Sequence, residues 1–434
     1  MEEIKKNPKK LRVAICGLGS RGFQTYARLC LQFPGELEVV AGADPREDHM
    51  KLFRELFPQI PDERCFASSE ELLKRERLAE ALFICTLDRF HFREAIAAME
   101  RGYDILLEKP ISTNPYECKM IAETAEKLGR KVMVCHVLRY TVFYQTIKKL
   151  IDRGEIGEVM AIQAMERVCY WHQAHSFVRG NWRNSDTTSS MILQKCCHDM
   201  DIYLWLAGKS CKAVTSFGDR SFFRSSRAPE GATEHCSPAC AAFDTCEYNP
   251  FRYYGGLLER GETGWPLDVV VSEPTPEKLD EALKNGPYGK CVFLNDNNVV
   301  DHQVVNLLLE GDATVSFTMS AFTATPGRTM NIMGTRGNIE ASMDENWIDV
   351  CRFGKEKEHI DVRKLTDDFS GHGGGDGRML RSMISYFRDG VLDGAVTTID
   401  RSVESHYVAM AAEESRVRGG EKIELNDYVA NIRA

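Results

Sequence analysis

Residues 13–22 read V-A-I-C-G-L-G-S-R-G, an apolar run that enters a glycine-spaced turn. Gly17, Gly19 and Gly22 form the pattern G-x-G-x-x-G. In dinucleotide-binding units the first glycine allows a tight turn, the second admits the pyrophosphate, and the third lets strand and helix pack closely. Helical spacing over residues 23–31 would direct free backbone amides at the phosphates. All six residues of this cofactor loop are expected to bind the cofactor: Gly17, Leu18, Gly19, Ser20, Arg21 and Gly22.

A second apolar run supports this interpretation. Residues 37–43 predict a strand that ends at Asp44, about 20 residues beyond the loop, where a carboxylate binds the adenosine ribose hydroxyls. NAD is favoured over NADP because Asp44 would repel a 2'-phosphate. Arg46 would offset part of that repulsion and is included among the cofactor-binding candidates, so that use of both cofactors stays open.

Length and composition indicate a two-domain enzyme without nucleic-acid or membrane partners. The 434 residues, 43% of them hydrophobic, exceed one usual core, since domains cluster near ~100 to 150 residues. The net charge of -9 is spread along the chain, which argues against nucleic acid. No apolar run reaches the ~18 to 20 residues that span a bilayer, and residues 1–10 lack a signal-peptide core, so a cytoplasmic location is expected.

Strands and helices alternate through the first third of the chain, as in a doubly wound parallel sheet. Strands are predicted over residues 81–86, 104–107 and 131–135, and helices over residues 92–101 and 115–128. Ligands of such α/β sheets bind beyond the carboxyl ends of the strands. The sequence therefore predicts one site assembled from loops that are far apart along the chain.

Several motifs at these loops and beyond them resemble a known family. They are T-L-D-R-F-H at 86–91, E-K-P at 108–110, H-V-L-R-Y at 136–140, K-C-C-H-D-M-D at 195–201 and G-H-G-G-G-D at 371–376. With the cofactor loop, they resemble the Gfo/Idh/MocA oxidoreductases over nearly the whole chain. The resemblance implies a Rossmann domain over residues 1–136. It also implies a C-terminal α+β domain over residues 137–434, with a large, mostly antiparallel sheet for substrate binding and oligomerisation.

The resemblance also implies roles for individual residues. Lys109 would lie beside the nicotinamide and stabilise a developing alkoxide, and the peptide before Pro110 would be cis. His198 would accept the hydroxyl proton, since imidazole titrates near neutral pH. The alternatives are a surface lysine paired with Glu108 and a packed histidine. Further cofactor contacts are expected at the sheet edge: Thr86, His91, Glu108 and Arg139.

One position departs from the family pattern. Many members carry an aspartate four residues before the histidine, where this chain has Gln194. Lys195, as a catalytic residue, and Asp199 are candidates for the missing role. On a helix over residues 191–207, Gln194 and His198 would share one face. Gln194, Asp199 and His372 are also candidate substrate contacts.

Residues 170–183, the aromatic segment, read Y-W-H-Q-A-H-S-F-V-R-G-N-W-R and are typical of a carbohydrate subsite. Trp171 and Trp182 could stack on sugar rings, while His175, Arg179 and Arg183 could hold hydroxyls or a carboxylate. A small satellite core is the alternative. His302, which precedes a strand predicted over residues 304–309, is a further substrate candidate.

A cysteine-rich stretch lies in residues 225–261, which are interpreted as an insertion. His235, Cys236, Cys240 and Cys246 could bind one structural zinc ion. Their spacing departs from the usual paired knuckles, and unligated buried thiols are the alternative. No other metal site is predicted.

The motifs together predict an NAD-dependent oxidoreductase that transfers a hydride between the nicotinamide and a hydroxyl of a sugar, cyclitol or sugar derivative. Relatives form homodimers or homotetramers, and the same is expected here. One alternative is a redox-neutral, NAD-requiring glycosidase or lyase that acts through a transient 3-keto sugar and elimination. Another is a cofactor-binding regulator without turnover.

Overall fold

The computed structural model describes residues 10–433. Residues 1–9 lie outside the described residues, and they make up most of the stretch, residues 1–10, that is predicted to lack a signal-peptide core. The first domain contains a six-stranded parallel sheet in the order β3-β2-β1-β4-β5-β6. Its strands are β1 (Leu11–Cys16), β2 (Leu37–Ala43), β3 (Cys65–Phe66), β4 (Ala81–Ile84), β5 (Asp104–Leu107) and β6 (Val132–Val134). The strand order reverses between β1 and β4, and ligands of such sheets bind at that switch point.

Helices cover both faces of this sheet and follow the predicted apolar periodicity. The helix predicted over residues 115–128 is confirmed: Asn114 caps its first turn by accepting a hydrogen bond from the Tyr116 amide, and Gly129 ends it in a left-handed conformation. The helices are Ser20–Ala27, a π-helical stretch continued by Arg28–Cys30, then Glu47–Leu56, Ser69–Leu73, Asp88–Glu100 and Pro115–Leu128. The helix predicted to begin at residue 92 begins at Asp88.

The second domain contains a nine-stranded sheet in the order β14-β13-β12-β11-β7-β10-β9-β8-β15. Its strands are β7 (Val159–Arg167), β8 (Cys211–Asp219), β9 (His302–Leu309), β10 (Thr314–Ser320), β11 (Gly327–Gly334), β12 (Gly337–Ser342), β13 (Trp347–Arg352), β14 (Glu358–Asp361) and β15 (Ile423–Glu424). Neighbours are antiparallel except β7 and β10, which are parallel. The predicted fold class, a parallel Rossmann sheet followed by a mostly antiparallel sheet, is confirmed.

One face of the second sheet packs against helices, which explains the alternating burial along β9. Met191–Ala207, which we call the cleft helix, matches the predicted span and ends at left-handed Gly208. The other helices outside the insertion are Val142–Asp152, Tyr170–His172, the π-helical Gln173–Arg179, Ser370–Asp389, Ile399–Val417 and Leu425–Ala430. Within residues 10–433, no helix combines the length and apolar character that a bilayer crossing requires.

The insertion is longer than predicted and has its own core. It runs over residues 220–301, between β8 and β9, and its helices are Pro250–Glu259, Leu267–Val270 and Pro276–Asn285. A buried cluster around Tyr254 and Leu279 joins these helices. The C-terminal half of the insertion is therefore a small packed unit. Residues 228–249 contain turns and a single β-bridge, between His235 and Lys290.

Candidate active site

The cofactor loop has the shape that the glycine pattern predicts. Gly17 has a φ of +83°, and a Cβ there would lie 2.6 Å from the backbone of Cys85 and Thr86. At Gly22 a Cβ would lie 1.8 Å from the Gly17 carbonyl oxygen. By contrast, nothing lies within 4 Å of a Cβ built on Gly19. The loop is therefore closed against the sheet and open at the second glycine, which fits an approaching pyrophosphate.

Asp44 lies at the end of β2 and faces the loop. Its carboxylate accepts hydrogen bonds from the Leu18 amide at 2.7 Å and the Arg46 amide at 2.9 Å. Burial opposes its ionisation, but hydrogen bonds from His49 and these amides outweigh burial and lower the pKa of Asp44. The guanidinium of Arg46 pairs with Asp48 on the surface, so part of its charge is already neutralised.

Arg21 connects the cofactor loop to other parts of the site. Its Nε donates to Glu108 Oε1 at 2.7 Å, and its Nη2 donates to Asp376 Oδ1 at 2.7 Å. Burial disfavours the charge of Glu108, but the charges of Arg21 and Lys109 outweigh burial and lower its pKa. The side chains of Arg21 and Glu108, predicted to bind the cofactor, thus hold the loop and the E-K-P turn together. A buried charge requires such partners, and the predicted contacts of the two residues with the cofactor stay predictions.

Lys109 lies on that turn and points toward the cleft helix. Its peptide bond to Pro110 is cis, as the resemblance implies. The Nζ atom donates to the backbone oxygen of Gln194 at 2.8 Å. The Glu108 carboxylate accepts from the backbone amide of Lys109 rather than from its side chain. The alternative of a surface lysine paired with Glu108 is therefore wrong.

His198 lies one helical turn beyond Gln194 and is buried. Burial, followed by the positive charge of Lys109 and the proximity of His136, lowers the pKa of His198 well below its usual range. Its ring centroid is 5.6 Å from that of His136 and 6.4 Å from that of His372. Its Nδ1 is buried and makes no hydrogen bond within residues 10–433. The side chain is thus a neutral imidazole that can accept a proton.

Gln194 makes protein contacts instead of replacing the missing carboxylate. In the amide orientation that satisfies its neighbours, its oxygen accepts from Trp182 Nε1 at 2.6 Å. Its nitrogen then donates to Ser189 Oγ at 2.9 Å and Asp88 Oδ2 at 3.2 Å. The polar atoms of Gln194 and Trp182, both predicted to contact substrate, therefore bind protein groups.

Lys195 and Asp199 lie on the next face of the cleft helix, in a buried charge cluster. Lys195 Nζ lies 3.3 Å from Glu166 Oε1, and Arg328 Nε lies 2.8 Å from both Glu166 Oε2 and Asp199 Oδ1. Burial raises the pKa of Asp199, and Glu166 adds to this rise against the opposing charge of Arg328. The charges of Lys195 and Asp199 are therefore paired within this cluster, and their supply of the role missing at Gln194 stays a prediction.

Glu166 and Arg328 were missed by sequence reasoning. They are register partners on β7 and β11, far apart along the chain. The available signal was a charged residue within an apolar stretch, since a buried charge requires a partner. That signal does not identify the partner.

Three polar residues of the aromatic segment are engaged within the protein. His175 Nδ1 lies 2.7 Å from the hydroxyl of Tyr254, and burial lowers the pKa of His175 to about 3. Arg179 donates to two backbone oxygens, and Arg183 Nε donates to Asp296 at 2.6 Å. These contacts favour the satellite-core alternative for His175 and Arg179, and the assignment of all three residues as substrate contacts stays a prediction.

Trp171 and His172 lie at the outer part of the same segment. The ring of Trp171 stacks on Tyr253, with centroids 5.5 Å apart, and lies beside Trp265. Burial and the charge of Lys195 lower the pKa of His172 well below its usual range, and Lys109 contributes in the same direction. The charges of both lysines therefore act on His172, which sequence reasoning did not select. The aromatic and imidazole composition of the segment was its signal.

The remaining predicted contacts divide into scaffold and cleft residues. His91 bridges the backbone oxygens of Pro110 and Thr86, at 2.8 Å and 3.0 Å, and so fixes two loops. Arg139 forms a buried, bidentate pair with Asp201 at 2.7 Å and 2.5 Å, and its contact with the cofactor stays a prediction. The Thr86 hydroxyl donates to Glu94 at 2.6 Å.

Two histidines complete the predicted set. His302 pairs with Asp301 at 2.8 Å at the start of β9, beside the insertion. His372 has a φ of +42° in the glycine run, and its Nδ1 lies 3.0 Å from Asp376. Since the His372 ring is near that of His198, this run reaches the cleft.

The zinc candidates do not form a ready ligand group. Within residues 10–433, no three His, Cys, Asp or Glu side chains stand in a metal-binding arrangement. His235 Nε2 lies 3.2 Å from the Gly286 carbonyl oxygen.

Both domains match family models. Residues 11–136 match the model described as the oxidoreductase family, NAD-binding Rossmann fold, and residues 148–424 match its C-terminal alpha/beta domain. The chain belongs to the Gfo/Idh/MocA oxidoreductase family. The family resemblance inferred from the five motifs is confirmed.

Individual relatives are distant. The chain is 22% identical over 389 residues to YteT of Bacillus subtilis (strain 168), named as an oxidoreductase, and this alignment covers 86% of the chain and 88% of YteT. It is 26% identical over 207 residues to an inositol 2-dehydrogenase of Corynebacterium glutamicum (strain R), covering 48% of the chain and 57% of that protein. The WlbA dehydrogenase of Bordetella pertussis, solved with NADH and UDP-GlcNAcA, has the same fold, with a TM-score of 0.69 at 17% identity over 96% of this chain and 98% of that one.

Proposed function

We propose that this protein is an NAD-dependent dehydrogenase that oxidises a ring hydroxyl of a sugar, cyclitol or sugar derivative. The placement of Lys109 beside His198 carries the proposal. Lys109 Nζ binds the backbone of Gln194, one turn before His198, and its charge helps to hold the imidazole neutral. A fixed cation and a neutral base at one sheet edge are what alcohol oxidation requires.

Each residue has a defined task in this reaction. The bound nicotinamide supplies a hydride acceptor. His198 takes the hydroxyl proton, and Lys109 stabilises the alkoxide as its charge develops. The buried contacts of Glu108 with Arg21 and Tyr26 hold the turn that carries Lys109. A fixed donor stabilises a developing charge without further reorganisation of the site.

NAD is the cofactor that we propose, on the basis of Asp44. Its pKa is lowered, so the carboxylate is ionised at neutral pH, where it attracts ribose hydroxyls and repels a 2'-phosphate. Calorimetric titration is expected to show tighter binding of NAD than of NADP. Asp44→Ser should narrow that difference, whereas equal binding of both cofactors by the unaltered protein would contradict the preference.

The substrate class rests on the family and on the chemistry of the cleft. The relatives include inositol 2-dehydrogenases, and the cleft presents Lys109, His198, His172 and His372 to a polar ligand. The test is the appearance of NADH absorbance across cyclitols, free sugars, uronates and nucleotide sugars. At least one is expected to give NADH. NAD binding without NADH from any member would favour a regulator without turnover.

A second candidate is a redox-neutral glycosidase or lyase that retains its NAD. The observation that favours it is Gln194, whose amide is bound by Trp182 and Ser189 in place of the carboxylate that many relatives carry. In that reaction a transient keto group acidifies a neighbouring C–H bond for elimination. Nitrophenyl glycosides added to the panel distinguish it, because nitrophenol would appear without net NADH.

Two broader expectations stay predictions: assembly into a homodimer or homotetramer, and residence in the cytoplasm. Size-exclusion chromatography with light scattering tests the first.

A further inference from the structure

Four cysteines surround one small cavity in the insertion. Cys236, Cys240 and Cys246 belong to residues 228–249, and Cys291 follows the third helix of the insertion. All four line the same cavity of about 20 Å³. A space of that size has room for one water-sized occupant.

The backbone brings the four residues together. The Cys236 amide donates to the Gly289 oxygen at 2.9 Å, and the Cys291 amide donates to the Glu234 oxygen at 2.8 Å. Cys240 and Cys246 lie in consecutive turns, with their amides bound to Ser237 and Ala242. Residues 228–249 have no helix or extended strand of their own, so a bound ion would supply a link that their packing does not.

Arg179 supplies an independent observation beside this cavity. Its guanidinium is buried and donates to the backbone oxygens of Lys290 and Tyr248, both at 2.7 Å. In the described part of the chain it forms no ion pair with a carboxylate. A buried cation without an anion is costly. The groups that act on it electrostatically include the thiols of Cys236, Cys291 and Cys246.

We propose that Cys236, Cys240, Cys246 and Cys291 bind one structural zinc ion. Four thiolates around Zn²⁺ carry a net charge of -2, which would give Arg179 the anionic neighbour that it lacks. Each thiol loses its proton to solvent on binding, and no oxidation occurs. The thiols do not stand in a closed ligand group, so they turn inward when the ion binds.

The structure replaces His235 with Cys291 in the ligand set. His235 Nε2 faces the Gly286 oxygen, and His235 does not line the cavity. Cys291 is distant in sequence from the other three and supplies the second side of the site. The zinc therefore joins residues 228–249 to the chain that follows the insertion's helices, next to the aromatic segment that carries Arg179.

Metal analysis of the full-length protein tests the site. Protein from zinc-supplemented medium, desalted and measured by plasma mass spectrometry, is expected to hold about one zinc per chain. Cys246→Ser and Cys291→Ser should each reduce this content at least about tenfold, because a thiolate ligand is lost. Cys351→Ser is the matched control: Cys351 is a partly exposed cysteine of β13, and its replacement should leave the content unchanged.

Cobalt exchange keeps the test independent of the variants. Co²⁺ in place of zinc should give thiolate-to-metal charge-transfer absorption and the intense visible bands of a tetrahedral site. Absence of metal from the unaltered protein would overturn the proposal, as would iron in place of zinc, or zinc that survives both serine variants. Retention of NAD binding in the serine variants separates failure of this site from failure of the proposed function.

Discussion

Gln194 and His198 lie on one face of the cleft helix, and Lys195 and Asp199 lie on the next. The first face is uncharged and adjoins Lys109 and the imidazole of His136. The second face is fully ionic, with Glu166 and Arg328 as partners. Lys109, beside the helix, and Lys195, on the helix, thus lie in opposite electrostatic settings.

The difference shows which lysine is available for chemistry. Lys109 Nζ donates to a backbone oxygen. No carboxylate therefore neutralises the charge of Lys109 at that contact. Lys195 faces the buried carboxylate of Glu166, which neutralises its charge locally. We therefore propose that the face with His198 takes part in the reaction, and that the face with Lys195 attaches the helix to the sheet.

The largest expected effect comes from removing Lys109. Lys109→Met should lower kcat by about 10³-fold or more, because the alkoxide loses its fixed cation. Steady-state NADH formation on the best substrate measures this change. NAD affinity, followed by calorimetry, should stay within about threefold, since the cofactor loop is untouched. A variant that keeps more than about a tenth of the original kcat would contradict a catalytic role for Lys109.

His198→Asn should have the next largest effect. Loss of the neutral base is expected to lower kcat by about 10²-fold. Added imidazole should restore part of the lost rate, which a purely structural role would not allow. An unchanged kcat, or a loss that imidazole does not affect, would contradict proton transfer to His198.

Acidic pH should destabilise the folded protein through its buried histidines. Burial is the largest cause of the lowered pKa of five histidines, namely His136, His172, His175, His198 and His406. In the unfolded chain a histidine titrates near pH 6.5, so below about that pH the unfolded state binds more protons and stability falls. Each histidine contributes up to about 1.4 kcal/mol per pH unit to this loss.

Urea unfolding at neutral and mildly acidic pH measures how steeply the free energy of unfolding changes with pH. His198→Asn should make the slope shallower by about one proton. Equal slopes in the two proteins would show that His198 takes up a proton as readily in the folded state as in the unfolded chain, which would contradict its lowered pKa.

The smallest effect is expected for Lys195→Met, which matches Lys109→Met in chemistry. Its kcat should stay within about tenfold, while unfolding free energy falls by about 1 to 2 kcal/mol, because Glu166 loses one of its two partners. Parallel kinetics and urea unfolding measure both quantities. A loss in kcat as large as that of Lys109→Met would contradict the different roles proposed for Lys109 and Lys195.

Local patterns in the sequence were sufficient for much of the fold. The strand over residues 37–43, the helix over residues 115–128 and the cleft helix have the predicted bounds. Apolar periodicity, a capping asparagine and terminal glycines are all local signals, and they determine these elements. The motifs identified the family, whose model then matched residues 11–136 and 148–424.

Side-chain partners could not be obtained in the same way. The role of Arg21 depends on Asp376, and that of Arg139 depends on Asp201. Pairs so distant along the chain form only when the elements that carry them pack together in the tertiary structure. The insertion was underestimated because its apolar residues bury against one another only after its three helices assemble.

The ratio of NADH formed to substrate consumed, measured on the best substrate, tests the central claim most directly. The account predicts stoichiometric NADH together with an oxidised product that keeps its ring bonds intact. Cleavage of a glycosidic bond that requires NAD, with no accumulation of NADH, would contradict it.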